Sequence, residues 1–255
     1  MHLKLKIPIL YEDKDFLAID KPVGISVHSS GKNEDYTIAD WVQENYPKLK
    51  GVGENMNVEY KGEQVEILRP GIVHRLDKET SGVLLIAKTQ ESFEFLKKQF
   101  KKHQIKKVYN AFVYGKVSDP IASLRTGKKG VINAPIGRSP KDIRMWTAGR
   151  GARGEAKEAI TEYTVLKNFK NIDEDYAYLE LFPKTGRTHQ IRVHLRYINH
   201  PVVSDPLYAS NYEPALGFTR TALHARMISL KNKDGKEIEI EAPMPKDFKD
   251  VLKNI

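Results

Sequence analysis

Hydrophobic positions along this chain come mostly in short blocks of strand length, and only a few stretches keep the three-and-four spacing of a helix. Residues 7–13 (IPILYED) and 15–22 (DFLAIDKP) are two such blocks that meet at an acidic turn, the second closed by Pro22 and Gly24. Residues 83–88 (VLLIAK) form an unbroken apolar run, as a strand buried on both faces requires. The stretch 106–117 (KKVYNAFVYGKV) alternates and predicts a strand with two distinct faces. Further strands are predicted over 160–169, 176–183, 221–230 and 237–243. Three stretches read as helices. In 37–46 (TIADWVQENY) Thr37 can cap the start, and Trp41, Val42 and Asn45 keep helical spacing. In 91–103 (ESFEFLKKQFKKH) Phe93, Leu96 and Phe100 make an apolar stripe, with lysines crowding the last turns, where the helix dipole favours cations. In 188–200 (THQIRVHLRYINH) Thr188 reads as the N-cap and Ile191, Leu195 and Ile198 as the buried stripe. Residues 50–66 show no period and predict a loop; residues 118–157, punctuated by Gly and Arg, predict a flexible basic loop.

Strands outnumber helices and mostly follow one another without helical crossovers. The predicted fold class is therefore α+β, a mixed and mainly antiparallel sheet with helices packed on it. No repeat and no linker divides the chain, so residues 1–255 are expected to form one domain.

Charge changes the picture more than composition does. Hydrophobic content of 40% and charged content of 29% are ordinary, but the net charge of +9 favours polyanions, nucleic acid first and an anionic membrane second. There is no cysteine, which excludes disulfides, thiol nucleophiles and zinc–thiolate sites. The opening MHLKLKIPIL has too short an apolar core for a signal peptide, and no apolar stretch is long enough to span a membrane. A cytoplasmic protein is expected.

Reactive side chains gather at three places beside predicted strands. The densest is GIVHRLDKETSG, residues 71–82. Asp77 stands there as the carboxylate placed to act as a nucleophile among cations, although an aspartate in a turn also serves as a cap or as a partner for Arg75. The second place is Tyr109, on one strand face with Ala111 and Val113: a stacking platform, a proton-transfer group, or core with a satisfied hydroxyl. The third is KTGRTHQIRVHLR, residues 184–196. Lys184 and Arg187 precede a helix start, a natural anion site, while His189, Arg192 and Arg196 share the flank opposite the apolar stripe, where a plain solvated basic face is the competing reading. Other chemistries lack their frames. No GxSxG surrounds Ser81, His189 and His194 are five residues apart with no HExxH, and GKKG at 127–130 is not a phosphate loop.

HRLD, two further residues and TSG, standing here as HRLDKETSG, resemble the signature of the RluA family of RNA pseudouridine synthases. The resemblance runs along nearly the whole chain, through YEDKDFLAIDKPVGISVH, RPGIVHRLDKETSGVLLIAKT, KKVYNAFVYG, PIGR, PKTGRTHQIRVHL, HPVVSDPLY and LHA, in the family's order. It implies a pseudouridine synthase fold with a central RNA-binding cleft. It also implies isomerisation of uridine in ribosomal or transfer RNA, with no cofactor, no metal and no obligate protein partner, by a monomer. By position, Asp77 matches the family's catalytic aspartate, Tyr109 its active-site tyrosine, and Arg192 the basic residue that pairs with the aspartate. Arg75 matches the position that handles the flipped-out nucleotide, and His74, Lys184, Arg187, His189 and Ile191 fall in the blocks expected to bind substrate. Many members carry an S4-type domain ahead of this one; this chain is expected to start at the catalytic domain. A non-catalytic RNA-binding module on the same scaffold is the rival from another class, and it would have no need of Asp77.

Overall fold

A computed structural model describes residues 5–29, 35–117 and 129–255. It falls into two units, Met1–Ile105 with Met227–Pro243, and Lys106–Arg226 with Met244–Ile255. Each has its own core.

In the first unit, β1 (Ile9–Glu12) and β2 (Phe16–Lys21) meet at Asp13. Its Oδ1 accepts the backbone N–H of Asp15 at 2.7 Å and of Phe16 at 2.9 Å, so the acidic turn satisfies its own backbone. β5 (Ser81–Ala87) pairs antiparallel with β2, Leu17 opposite Ile86 and Ile19 opposite Leu84. All seven residues of β5 are buried, as its unbroken apolar run requires. Burying a Val, Leu or Ile side chain contributes about 1.5–3 kcal/mol, so this strand is the main anchor for whatever precedes it. β14 (Glu237–Glu241) pairs with residues 227–231 of β13 (Leu223–Lys231). Two helices complete the unit. α1 (Ile38–Asn45) starts at a capping box in which Thr37 and Asp40 satisfy each other's backbone N–H. α2 (Gln90–Lys101) is capped by Thr89 and buries Phe93 and Leu96.

The stretch 50–66, expected to be a loop, instead holds a hairpin of β3 (Met56–Tyr60) and β4 (Glu63–Ile67). Lys61 and Gly62 form its two-residue turn, both with positive φ (53° and 83°). That is the mirror-image turn matching strand twist, and it replaces the usual Asn-Gly signal with Lys-Gly. The strands alternate apolar with polar residues, Met56, Val58 and Tyr60 in one and Val65 and Ile67 in the other, a strand period that the reading of 50–66 as a loop missed; only Ile67 of these is buried.

The second unit is built on four strands in the order β6 (Lys106–Tyr114), β12 (Glu174–Pro183), β11 (Ile160–Asn171) and β7 (Lys129–Asn133). Each neighbouring pair is antiparallel. Phe112 lies at the centre of its core, stacked on Tyr178 at 4.8 Å and tilted against Phe218 and Phe248. The flexible loop expected over 118–157 lies outside the described residues as far as 128. Its remainder is ordered as β7 and as a small sheet in which β8 (Ile136–Arg138) pairs with both β9 (Trp146–Ala148) and β10 (Arg153–Lys157). Arg138 stacks on Trp146 at 4.5 Å, giving the basic sequence an internal structural use.

α3 (Gln190–Tyr197) starts one residue later than Thr188 as N-cap would set it. Its N-cap is His189, at φ 53° and with no capping side-chain bond. Its polar flank is solvated only in part: Gln190 through Leu195 are all buried, Arg192 and His194 included, while His189 is half-buried and Arg196 exposed. A last helix, α4 (Lys246–Leu252), starts after Pro245 and is held by paired bonds from Arg220 to Asp247 at 2.7 and 3.0 Å. Among the described residues no helix is long and apolar enough to cross a membrane.

Candidate active site

The Asp77 turn hangs from β5 at both ends. Ahead of it, Gly71 carries φ 65°, and a Cβ there would stand 2.2 Å from the carbonyl oxygen of Ala87. Only glycine allows that approach, which lets Ala87 donate to the Gly71 carbonyl at 2.8 Å and Ile72 bridge to Ile86. His74 continues along the strand: its Nε2 accepts the N–H of Leu85 at 2.9 Å while its ring stacks on Phe100 at 4.8 Å. Leu76 is buried, Asp77 half-buried and Thr80 buried, and the Thr80 N–H closes the turn on the Asp77 carbonyl at 3.1 Å. At Ser81 the chain enters β5.

A further anchor comes from Lys21, which is completely buried. Its ammonium donates to the carbonyls of Pro22 (2.7 Å), Ile25 (2.8 Å) and Lys78 (3.2 Å), and the Gly24 N–H also reaches the Lys78 carbonyl at 2.9 Å. A lysine spent on backbone carbonyls ties the segment after β2 to the residue that follows Asp77. Periodicity does not single Lys21 out, because it ends an apolar strand and reads as a solvated terminus.

Cations gather around this turn. Arg75 is exposed. Burial pushes the His28 imidazole below its ordinary value, and the charges of Arg75 and Arg69 push the same way; its Nδ1 bonds the Ser29 carbonyl at 2.8 Å. Burial, then Arg75, also lowers the Arg69 guanidinium, with Glu54 opposing, and the Arg69 Nε is buried with no hydrogen-bond partner. Glu54 is itself engaged by Lys97. An anion would be favoured beside these groups.

The second unit holds the other candidates. Tyr109 is half-buried on β6, opposite Leu181 of β12. The turn before α3 is locked by Gln190. Its Oε1 accepts from Thr185 Oγ1 at 2.6 Å and Arg187 N at 3.0 Å, while its Nε2 donates to the Ile160 carbonyl and Thr161 Oγ1, both at 3.0 Å. Thr161 Oγ1 also bonds Nδ1 of the fully buried His194, whose Nε2 meets the Ala134 carbonyl at 3.0 Å. Burial lowers the His194 imidazole, the Ala134 bond opposing, so a neutral ring fits this network.

Arg192, 6% exposed, is gripped by Asp205, with Nε 2.6 Å and Nη2 2.8 Å from the two carboxylate oxygens. The same Asp205 accepts the N–H groups of Leu207 and Tyr208 at 3.0 Å, and the guanidinium lies 4.9 Å from the Tyr208 ring centroid. Tyr208 in turn bonds His189 Nδ1 at 2.9 Å and takes the Trp146 N–H at 3.0 Å. Asp205 and Tyr208 belong to the quoted HPVVSDPLY block but carry no period or motif of their own that assigns them a role. The remaining candidates differ in exposure. Lys184 pairs with Glu162 at 2.8 Å, both about half exposed, and Arg187 donates from Nε to the Glu158 carbonyl at 2.9 Å. Ile191 is buried in the core. Among the described residues no group of three or more acidic, His or Cys side chains is arranged to hold a metal.

The family model for RNA pseudouridylate synthase matches residues 15–197, a span that runs from β2 through the Asp77 turn and Tyr109 to the end of α3. The chain belongs to the RNA pseudouridine synthase family. Family membership makes it an isomerase that acts on RNA, with the α+β fold described above. It is 34% identical over 252 residues to an uncharacterised RNA pseudouridine synthase, YlyB, of Bacillus subtilis (strain 168), covering 98% of this chain and 73% of that protein. It is 33% identical to a ribosomal large subunit pseudouridine synthase D of Zymomonas mobilis, covering 98% and 73%. Among solved structures, Human RNA Pseudouridylate Synthase Domain Containing 4 superposes with a TM-score of 0.69 at 27% identity, covering 96% of this chain and 91% of that one.

Proposed function

We propose that this pseudouridine synthase isomerises a uridine in structured ribosomal or transfer RNA, with Asp77 as its catalytic carboxylate and residues 1–255 working as one catalytic domain. The observation that carries the reading is the construction of the Asp77 turn. Backbone bonds to β5, the buried Leu76 and the Lys21 ammonium hold one half-buried carboxylate on a rigid element, as a group acting at a fixed atom requires. The relatives named for the ribosomal large subunit favour that RNA as the first substrate to try.

The reaction breaks the N1–C1′ bond and the C5–H bond, and forms C5–C1′ and N1–H. The product is an isomer, so no oxidant, reductant or cofactor is needed. The base must leave its stack first, at a cost of a few kcal/mol. Arg75, among the cations of its unit, suits the extruded nucleotide and its phosphate. Tyr109 packs against the uracil and helps to remove the C5 proton. Arg192, held by Asp205, takes the role of the positioning charge for the catalytic aspartate that the family pattern gives its basic residue. Lys184, Arg187 and His189 hold phosphates at the turn before α3. His74 and Ile191 serve substrate binding indirectly, by fixing the strand and the helix behind it.

The test uses transcripts of large-subunit ribosomal RNA and of transfer RNA labelled with tritium at uracil C5. Release of label into water, with a chelator present and no added nucleotide, is the expected result with one of the two RNAs. Binding without release from either would favour the non-catalytic RNA-binding reading.

A further inference from the structure

Lys107 stands on β6 two residues before Tyr109, so the two side chains leave the same face of the strand. Its side chain is half-buried, and its ammonium donates to the Thr185 carbonyl at 3.2 Å. Burial alone holds that ammonium down to about 8; no neighbouring charge contributes. An ammonium has three donors, and Thr185 takes one. The charged groups nearby do not balance it. Lys106 on the same strand is a cation, as are Lys184 and Arg187 on either side of the Thr185–Gly186 turn. Glu162 of β11 is engaged by Lys184 at 2.8 Å, and Arg187 is turned to the Glu158 carbonyl.

Gly186 follows Thr185. Its φ lies outside the left-handed region, so its backbone does not demand glycine. Among the described residues other than its chain neighbours, a Cβ there would meet only Lys107 Nζ within 4 Å, at 3.9 Å. The missing side chain therefore leaves the way to the ammonium bare. A cation withdrawn from water without a counter-charge is unfavourable for the fold, and a ligand that brings the counter-charge removes that penalty.

We propose that Lys107 is a phosphate-binding residue, its ammonium reached past Gly186 by a phosphodiester oxygen of the RNA beside the nucleotide that packs on Tyr109. This rests on the function proposed above and deepens it. Wild type, Lys107→Met and Lys107→Arg are compared with the same tritiated large-subunit and transfer RNA transcripts. The Met variant should melt a few degrees higher than wild type, because it removes an uncompensated buried charge. It should bind the RNA about tenfold more weakly, with a log affinity against log salt slope shallower by about 0.7–0.9, the value of one phosphate contact. Wild-type affinity should fall as pH rises through about 8, and the Arg variant should not share that fall. A Met variant that melts lower and binds with an unchanged slope would show Lys107 to be structural, and unchanged affinity would overturn the proposal outright. If wild type releases tritium while Lys107→Met matches it in affinity, slope and turnover, only this proposal fails. If wild type neither binds nor releases label, the parent reading fails with it.

Discussion

The turn that presents Asp77 and the turn that leads into α3 are both rigid, and they are made rigid by different means. The first is held mainly through its backbone: Gly71 and Ile72 against β5, the Thr80 N–H on the Asp77 carbonyl, and Lys78 tied by its carbonyl to Lys21 and Gly24. The second is held through side chains, with Gln190, Thr161 and His194 in one network and Arg192, Asp205, Tyr208 and His189 in another. A backbone-held turn leaves Arg75 and Lys78 at the surface for a partner. A side-chain-held helix spends most of its polar groups on itself and depends on each of them.

That difference sets the order of expected damage. Asp205→Ala should be the worst change, because it leaves the Arg192 guanidinium buried without its bidentate partner and orphans two backbone N–H groups. A loss of about 3–5 kcal/mol is expected, measured by chemical denaturation. A loss below about 1 kcal/mol would mean that Arg192 has found another carboxylate. Lys21→Met should come next, at about 2–4 kcal/mol, since three carbonyls lose a charged donor while the apolar replacement fits the buried site. Its turnover should fall further than its RNA affinity, because the turn loosens but the phosphate contacts remain.

Both turns were marked by the sequence, though not equally well. The Asp77 turn was legible because a dense polar signature abuts an unbroken apolar run, and β5 buries that run from Val83 to Ala87. The anchoring lysine was not, since a lysine bonded to carbonyls looks in sequence like any strand-ending lysine. In α3 the spacing of Ile191, Leu195 and Ile198 located the helix. The polar positions between them left a solvated basic face open as one reading, yet Arg192 and His194 are buried because distant residues satisfy them: Thr161, Ala134 and Asp205 lie thirty-three, sixty and thirteen positions away from their helical partners. No local pattern carries such pairings. The hairpin over 56–67 escaped although Met56, Val58, Tyr60, Val65 and Ile67 alternate with polar residues, because the runs are short and their Lys61-Gly62 turn is not the usual Asn-Gly signal.

A smaller, pH-dependent effect separates the two turns again. His194 is buried, and that burial lowers its imidazole from the ordinary 6.5, with the Ala134 bond opposing. Below pH 6.5 the unfolded chain takes up a proton that the folded ring resists, so stability falls as pH drops through that window, by at most about 1.4 kcal/mol per unit. His28, lowered likewise, adds to the same limb from the first unit. His194→Gln should flatten part of the decline in melting temperature between about pH 7 and 5 relative to wild type. An unchanged decline would mean that His194 is charged in the fold. The smallest stability effect should come from Lys184→Ala. Its pair with Glu162 is half exposed and contributes no more than about 0–1 kcal/mol, so melting should barely move. The salt dependence of RNA binding should still become shallower by about one phosphate contact.

The most direct measurement compares wild type with Asp77→Asn on RNA tritiated at uracil C5. The substitution keeps the size of the side chain and leaves untouched the backbone bonds that hold the turn, but removes the negative charge. The variant should fold as wild type does and bind the RNA in a filter assay with equal or slightly higher affinity, because phosphate contacts lie elsewhere. It should release no label above the enzyme-free background. Release at the wild-type rate would contradict a catalytic role for Asp77, and with it the proposed mechanism.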